Sequence, residues 1–303
     1  MVDLLGQYEK IREDIDRAII DVVRSSAYIN GPEVKAFQAE LEQFLGVKHA
    51  ITCGNGTDAL QVSLMALDLK PGDEIITTSF TFIATVEVIA LLGLNPVFVD
   101  VNAETFNIDP DEIEKAITDK TKAILPVHLY GQCADMEAIL AIAKKHDLYV
   151  IEDAAQAFGS KYNFNDGSVK KAGTMGTIGC TSFFPSKNLG CYGDGGAIFT
   201  NNDELAEKLR MIVNHGMKVR YHHDIIGINS RLDSMQAAIL RIKLKKLNDY
   251  IEARNRAALY YDKAFMDTEN LTTPYRESKS THAFHQYTLK TNGIDRDDLR
   301  DYL

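Results

Sequence analysis

Cys180-Thr-Ser-Phe-Phe-Pro-Ser-Lys-Asn-Leu-Gly-Cys-Tyr-Gly-Asp-Gly-Gly196 sets the reading of the chain. A β-prone run, Cys180 to Phe184, delivers a single lysine into a loop with glycines at 190, 193, 195 and 196, and a second strand, Ala197 to Thr200, follows at once. Surface lysines usually stand among other charges on a helix face, as in Arg241-Ile-Lys-Leu-Lys-Lys246. Lys187 instead has Phe183, Phe184 and Tyr192 for neighbours. Partial desolvation lowers the pKa of such a lysine toward the range where the amine is a nucleophile, the chemistry of a Schiff-base lysine. The same residue read as a loop lysine paired with Asp194 accounts for this stretch equally well.

Working outward from that stretch, short strands alternate with helices from residue 50 onward. Strands are expected at Ala50 to Cys53, Glu74 to Thr78, Pro96 to Asp100, Ala123 to Val127 and Tyr149 to Asp153, ahead of the two named above. Helical stretches at 57–68, 82–92, 109–117 and 135–146 lie between them. This alternation predicts an α/β fold, a three-layer αβα sandwich with a mainly parallel sheet. Ligands in open sheets of that kind bind beyond the carboxyl ends of the strands. Three strand ends carry suitable groups. Gly54-Asn-Gly-Thr-Asp-Ala-Leu60 lets the backbone approach a ligand and opens a helix at Thr57 or Asp58, where free N–H groups favour a phosphate. An ordinary capped turn explains those residues as well. The strand Tyr149 to Asp153 runs into Ala-Ala-Gln156, so that Asp153 and Gln156 project into one crevice; the next strand leads to Ser182 and Lys187.

Elsewhere the signals are coarser. Apolar positions at Ile11, Ile15, Ala18, Ile19 and Val22 predict a helix over 4–24, and Pro32 starts another over 33–45. A helix over 203–214 is followed by a loop at 215–234, long enough to suggest a functional or interface role. His222 and His223 lie in it without a third ligand at suitable spacing, so no metal is expected, and Arg231 could pair with Asp233. A helix over 233–264 links a large domain, 1–245, to a small α+β domain, 246–303, in which 280–290 alternates like a strand and a last helix starts at 295. The small domain reads as truncated.

Bulk properties narrow the function. The 303 residues are 45% hydrophobic and 25% charged, which excludes a disordered chain. A formal charge of -10, from 33 basic and 43 acidic side chains, disfavours nucleic acid or an anionic membrane as partner. Four cysteines without metal spacing read as buried thiols of a reducing cytoplasm, and no apolar run has the length of a membrane span. The strand ends together ask for a ligand with a phosphate, a protonatable ring nitrogen, a phenolic oxygen and an aldehyde. Pyridoxal 5'-phosphate carries all four, with Asp153 keeping the ring nitrogen protonated and Lys187 capturing the aldehyde. Phe82 could stack on its ring, although an aromatic at a helix start is more often core.

On Gly-Asn-Gly-Thr-Asp-Ala-Leu at 54–60, Glu-Asp-Ala-Ala-Gln at 152–156, Thr-Ser-Phe-Phe-Pro-Ser-Lys at 181–187 and Gly-Asp-Gly-Gly-Ala at 193–197, the sequence resembles the nucleotide-sugar aminotransferases of pyridoxal-phosphate fold type I. The resemblance covers essentially the whole chain. It implies Lys187 as the Schiff-base lysine, Asp153 at the pyridine nitrogen, Gln156 at the ring hydroxyl and Phe82 stacked on the ring. Gly56, Thr57 and Ser182 match phosphate ligands. It further implies a homodimer with shared active sites, in which Asn229 of one copy reaches the phosphate bound by the other. His128-Leu-Tyr-Gly-Gln-Cys-Ala-Asp135, the unbroken register of Phe184 to Gly193 and Arg220-Tyr-His-His223 look most like the members that aminate carbon 3 of UDP-2-acetamido-2-deoxy-3-oxo-glucuronate for bacterial surface glycans such as O-antigen. By that match Tyr28, Ser186 and Arg231 bind substrate, Arg231 gripping either the sugar carboxylate or that of the amino donor, glutamate. Members run some tens of residues further and draw additional sugar contacts from that segment. Dehydratases of the family carry histidine in place of the lysine, which sets this chain apart from them. Two other readings remain: amination of a 4-keto- or 3-keto-6-deoxyhexose on TDP or GDP, and a non-catalytic regulatory or structural protein on the same fold.

Overall fold

The computed structural model describes residues 2–302. Its centre is a seven-stranded sheet of β1 (His49–Cys53), β2 (Glu74–Thr78), β3 (Asn95–Val99), β4 (Thr121–Ile124), β5 (Tyr149–Asp153), β8 (Ile178–Ser182) and β9 (Gly196–Thr200). Between β5 and β8 the chain forms a hairpin of β6 (Lys161–Asn163) and β7 (Val169–Lys171), which the sequence reading did not anticipate. The sheet order is β1-β9-β8-β5-β4-β2-β3. Neighbours from β8 across to β3 run parallel, while β9 lies antiparallel to both β8 and β1.

Helices cover both faces. They are α1 (Leu4–Glu9), α2 (Arg12–Ser25), α3 (Pro32–Leu45), α4 (Gly56–Ala66), α5 (Ala84–Leu91), α6 (Pro110–Ala116), α7 (Met136–His146), α8 (Asp203–Ile212), α9 (Ser234–Leu244), α10 (Leu247–Phe265) and α11 (Arg296–Tyr302). One face packs Ile51, Ile75, Ile151, Ile178 and Ile198 of the strands under α4, α5 and α8; the other packs Ile76, Ile124 and Val150 under α6 and α7. β-branched residues suit a pleated surface buried on both sides, and each fully buried isoleucine or leucine contributes about 1.5–3 kcal/mol. α4 is apolar on most of its surface, and Ala59, Leu60, Val62, Leu64 and Ala66 are all buried. It is therefore a core element whose first turn, Gly56 to Asp58, is its least buried part.

Four expectations need correction. The helix expected over 4–24 breaks at Ile11, whose φ of -130° swings its side chain onto Ile15 and Ile239. The helix over 233–264 breaks after Leu244, where Lys246 N–H bonds Lys243 O in a tighter turn. Within 215–234 the chain forms a short hairpin, β10 (Met217–Val219) with β11 (His222–His223). The strand expected over 280–290 is an irregular strap. Only isolated bridges at Ser280 and His282, and the pairing of β12 (Leu271–Thr272) with β13 (Lys290–Thr291), are regular there. All four cysteines are buried thiols. Among the described residues no helix is long and apolar enough to cross a membrane.

Candidate active site

A cavity of about 610 Å³ opens beyond the carboxyl ends of β1, β5 and β8. Gly56, Thr57, Phe82, Asp153, Gln156, Ser182, Ser186 and Lys187 line it, joined by Asp194 and His285. Eight residues singled out in the sequence thus meet in one place.

The wall beneath β1 is the first turn of α4. Asn55, not Thr57 or Asp58, is its cap, accepting from Asp58 N–H at 2.8 Å through Oδ1. Ser230 Oγ accepts from Gly54 N–H at 2.8 Å and donates to Asp58 at 2.6 Å, which ties the turn to the loop before α9. A Cβ on Gly56 would stand 2.6 Å from Ser182 Cβ, so only glycine lets the helix end lie against β8. That close approach puts the first turn of α4 and the Thr57 and Ser182 side chains on one wall of the cavity, and free N–H groups at a helix start favour an anion.

Asp153 ends β5 with its carboxylate almost fully enclosed. It accepts from Thr85 Oγ1 at 2.9 Å and from Ala155 N–H at 3.1 Å, two bonds that fix the orientation of the carboxylate. Its neighbour Glu152 points to the opposite side of the strand and is fully buried. Three backbone N–H groups, of Gly173, Met175 and Gly176, donate to it at 2.8, 2.6 and 2.6 Å. His128 Nδ1 accepts from Ala134 N–H at 3.1 Å, so the imidazole proton sits on Nε2 and is given to Glu152 at 2.9 Å. Glu152 therefore anchors the 173–176 loop and β5, a role that its place beside Asp153 in the sequence did not disclose. Gln156 accepts Tyr130 N–H at 2.8 Å through Oε1, which leaves its amide NH₂ available to the cavity.

Lys187 enters from the glycine loop. Burial holds its ammonium pKa below the ordinary lysine value, and the Asp153 carboxylate opposes that shift. Within 4.0 Å no carboxylate pairs with it among the described residues, so the alternative pairing with Asp194 does not form, though Asp194 shares the cavity. The neighbouring Asn188 is buried and donates to Ala283 O at 2.7 Å, bolting the lysine loop to the strap at 282–286. Phe82 lies at the mouth, 68% exposed in the single chain.

Tyr28, Asn229 and Arg231 lie elsewhere. The Tyr28 hydroxyl donates to Val23 O at 3.2 Å, Asn229 bridges to Asn214, and Arg231 lines a separate cleft of about 210 Å³ with Gln38 and Arg210. No ion pair joins Arg231 to Asp233 within 4.0 Å among the described residues; Asp233 instead bridges to Ile29. Sequence reading missed Thr85, Glu152, His128, Asn188 and His285. Thr85 and Asn188 are polar residues beside the motifs, which was the available signal, whereas His285 lies 98 positions beyond Lys187 in a segment read as a strand.

A desolvated lysine, an enclosed carboxylate and a helix N-terminus share one cavity beyond the strand ends of an open sheet, a setting suited to a phosphorylated cofactor. Comparison with known proteins narrows the class. The chain belongs to the DegT/DnrJ/EryC1/StrS aminotransferase family, whose profile matches residues 9–303. It is an aminotransferase, and its cofactor is pyridoxal phosphate. It is 51% identical to a pleiotropic regulatory protein of Geobacillus stearothermophilus, over 100% of this chain and 80% of that one. To the UDP-2-acetamido-2-deoxy-3-oxo-D-glucuronate aminotransferase of Pseudomonas aeruginosa it is 50% identical, over 95% of this chain and 79% of the relative. The crystal structure of S. venezuelae DesV, in complex with a ketimine intermediate, superposes with a TM-score of 0.94 at 41% identity, covering 99% of this chain and 79% of that one.

Proposed function

We propose that the chain moves an amino group from glutamate to a keto carbon of a nucleotide sugar, with carbon 3 of UDP-2-acetamido-2-deoxy-3-oxo-glucuronate as the favoured acceptor. The observation that carries the reading is the 50% identity to the aminotransferase named for that sugar, extending over 95% of the chain. A second acceptor class is supported by relatives named as a dTDP-3-amino-3,4,6-trideoxy-glucose transaminase, at 41% identity, and a GDP-perosamine synthase, also at 41%. The relative named as a regulator leaves the catalytic reading in place, because Lys187 and Asp153 face one cavity here.

Pyridoxal phosphate, when bound, supplies the aldehyde through which nitrogen is exchanged and a protonated ring that draws electrons from the substrate's α-carbon. The chain's residues fit it. In our reading the first turn of α4, with Gly56, Thr57 and Ser182, holds the phosphate, and Asp153 keeps the proton on the ring nitrogen. Gln156 donates its NH₂ to the ring hydroxyl, and Phe82 covers one face of the ring. Lys187 holds the aldehyde at rest. With the cofactor bound, its freed amine would move a proton between the substrate's α-carbon and the cofactor carbon that carried the aldehyde. Burial favours that role, since a lowered pKa raises the fraction of free amine.

Tyr28, Asn229 and Arg231 sit on an outer face of their own chain, with Ile29 and Ile226 exposed nearby. We therefore assign them to a homodimer in which they complete the partner's cavity, Asn229 at the phosphate and Tyr28 and Arg231 at the sugar, opposite Ser186. We further place the division between a large and a small domain near residue 245, and the enzyme in the cytoplasm, in surface-glycan synthesis.

The test is direct. Purified protein incubated with glutamate and a panel of keto nucleotide sugars should release 2-oxoglutarate and an amino sugar, with the 3-oxo-glucuronate turned over fastest. Lys187→Ala should abolish release and prevent borohydride from fixing the cofactor to the chain. A wild-type protein that binds the cofactor yet aminates no sugar of the panel refutes the assignment.

A further inference from the structure

The strap at 282–286 carries one side chain, His285, to the wall of the active-site cavity. It is pinned at almost every residue. Ala283 N–H donates to Gly131 O at 2.7 Å, Asn188 Nδ2 to Ala283 O at 2.7 Å, and Asn255 Nδ2 to His282 O at 2.9 Å. Arg254 Nη1 donates to Phe284 O at 2.9 Å. The His282 ring stacks on Phe284 with centroids 3.8 Å apart, and Arg276 covers the Phe284 ring. Phe284 has a φ of +44°, a left-handed conformation that a bulky residue adopts only when its surroundings force it. What this construction achieves is the placement of the next residue. His285 lines the cavity together with Lys187, and with Ser186 it also lines an adjoining groove of about 980 Å³. It therefore stands where the cofactor cavity opens toward the space available to a larger substrate.

The imidazole is held neutral. Burial, the Lys187 ammonium and the Arg254 guanidinium together push its pKa down to about 3. Its Nδ1 is enclosed and has no partner among the described residues. A proton there would be an orphaned buried donor, which is rarer than an unpaired buried acceptor, and this favours the proton on Nε2.

We propose that His285 is a catalytic-site residue that donates a hydrogen bond from Nε2 to an uncharged oxygen, hydroxyl or keto, of the sugar acceptor. A carboxylate partner fits the site less well. It would favour the imidazolium, which the two neighbouring cations and the enclosed Nδ1 both oppose. The proposal rests on the keto-sugar reading above and makes an asymmetric prediction. Removing the donor should impair the half-reaction with sugar and spare the one with glutamate.

The experiment follows the two half-reactions separately in wild type, His285→Ala and His285→Gln by the change in cofactor absorbance. With His285→Ala the sugar half-reaction should slow about tenfold, the size of one lost hydrogen bond, while the glutamate half-reaction keeps its rate. His285→Gln retains an N–H donor and should recover much of the loss. The pH profile should keep its shape in both variants, because a group neutral throughout the working range removes no ionisation. Independently of turnover, cofactor-free protein carrying ¹⁵N-labelled histidine, assigned by comparison with His285→Gln, should show His285 as the neutral Nε2–H form at pH 6. Equal loss in both half-reactions, loss with glutamate alone, or an Nδ1–H or cationic imidazole would each overturn the proposal. A wild type that reacts with glutamate but with no keto sugar refutes the acceptor assignment, and the proposal falls with it. That result is recognisable because it precedes any comparison of variants.

Discussion

Gly56→Ala tests whether the end of α4 is an anion cradle. The added Cβ would stand 2.6 Å from Ser182 Cβ, 3.1 Å from its Oγ and 3.2 Å from its Cα, against an ordinary carbon contact of about 3.5–4.0 Å. The nearest atoms are a short side chain and backbone on a central strand, so neither can turn aside and the two elements must part by roughly 1 Å. Overpacking of this kind costs about 1–3 kcal/mol, offset by up to about 1 kcal/mol from the better helix propensity of alanine. A net destabilisation of about 0–3 kcal/mol follows, limited because Gly56 does not occupy the left-handed region. The effect on binding should be larger. If one charge-assisted hydrogen bond to the phosphate is lost, about 1.5–3 kcal/mol goes with it, a weakening of about 10- to 150-fold. Cofactor-free protein titrated with pyridoxal phosphate, and in parallel with pyridoxal, measures this. The penalty should appear with the first and vanish with the second. Equal weakening toward both ligands, or wild-type affinity with an unchanged urea midpoint, refutes the cradle.

Other substitutions separate positioning from binding. Glu152→Gln replaces an acceptor of four donors with an amide whose NH₂ must face at least one of them; the urea midpoint should fall by the equivalent of about 3 kcal/mol, and an unchanged midpoint would contradict the anchor role. Lys243, although it belongs to the run read as surface lysines, is buried with its pKa lowered to about 8, so Lys243→Met should stabilise the protein by about 3 kcal/mol at most near pH 7, less whatever its contact with the Tyr192 ring contributes. The sign follows from the lowered pKa: between about 8 and 10.5 the unfolded chain binds the extra proton, so the contribution of Lys243 to stability rises with pH, and the gap between variant and wild type should close over that window. Denaturation curves at pH 7 and pH 10 with an equal gap would show that Lys243 keeps its ordinary pKa. Arg231→Ala should reduce kcat/KM about 10- to 150-fold for the uronate acceptor and leave acceptors without a carboxylate near wild type. Loss across all sugars would move Arg231 to the amino donor.

The parts of this molecule that a sequence makes legible are those where one physical requirement dominates. Ile75, Ile76, Ile124, Val150 and Ile151 are buried on both sides of a parallel sheet, and the runs containing them read as strands because little else tolerates such continuous branched apolar sequence. Asp153, Gln156, Ser182 and Lys187 read as a site because parallel topology sends strand ends to one edge, so residues scattered over 35 positions could be placed together before any contact was known. The errors fall where several weak requirements compete. In the strap, alternation at 280–290 suggested a strand, yet Asn188, Arg254 and Asn255 claim its carbonyls from outside, so the backbone is satisfied without a ladder. Those three donors lie up to about 100 residues away, and no local pattern announces them. The residue that this arrangement delivers to the cavity, His285, was hidden for the same reason: its partner elements meet only in three dimensions. Where a polar side chain's importance comes from being held, rather than from its own chemistry, the evidence lies in the residues that hold it.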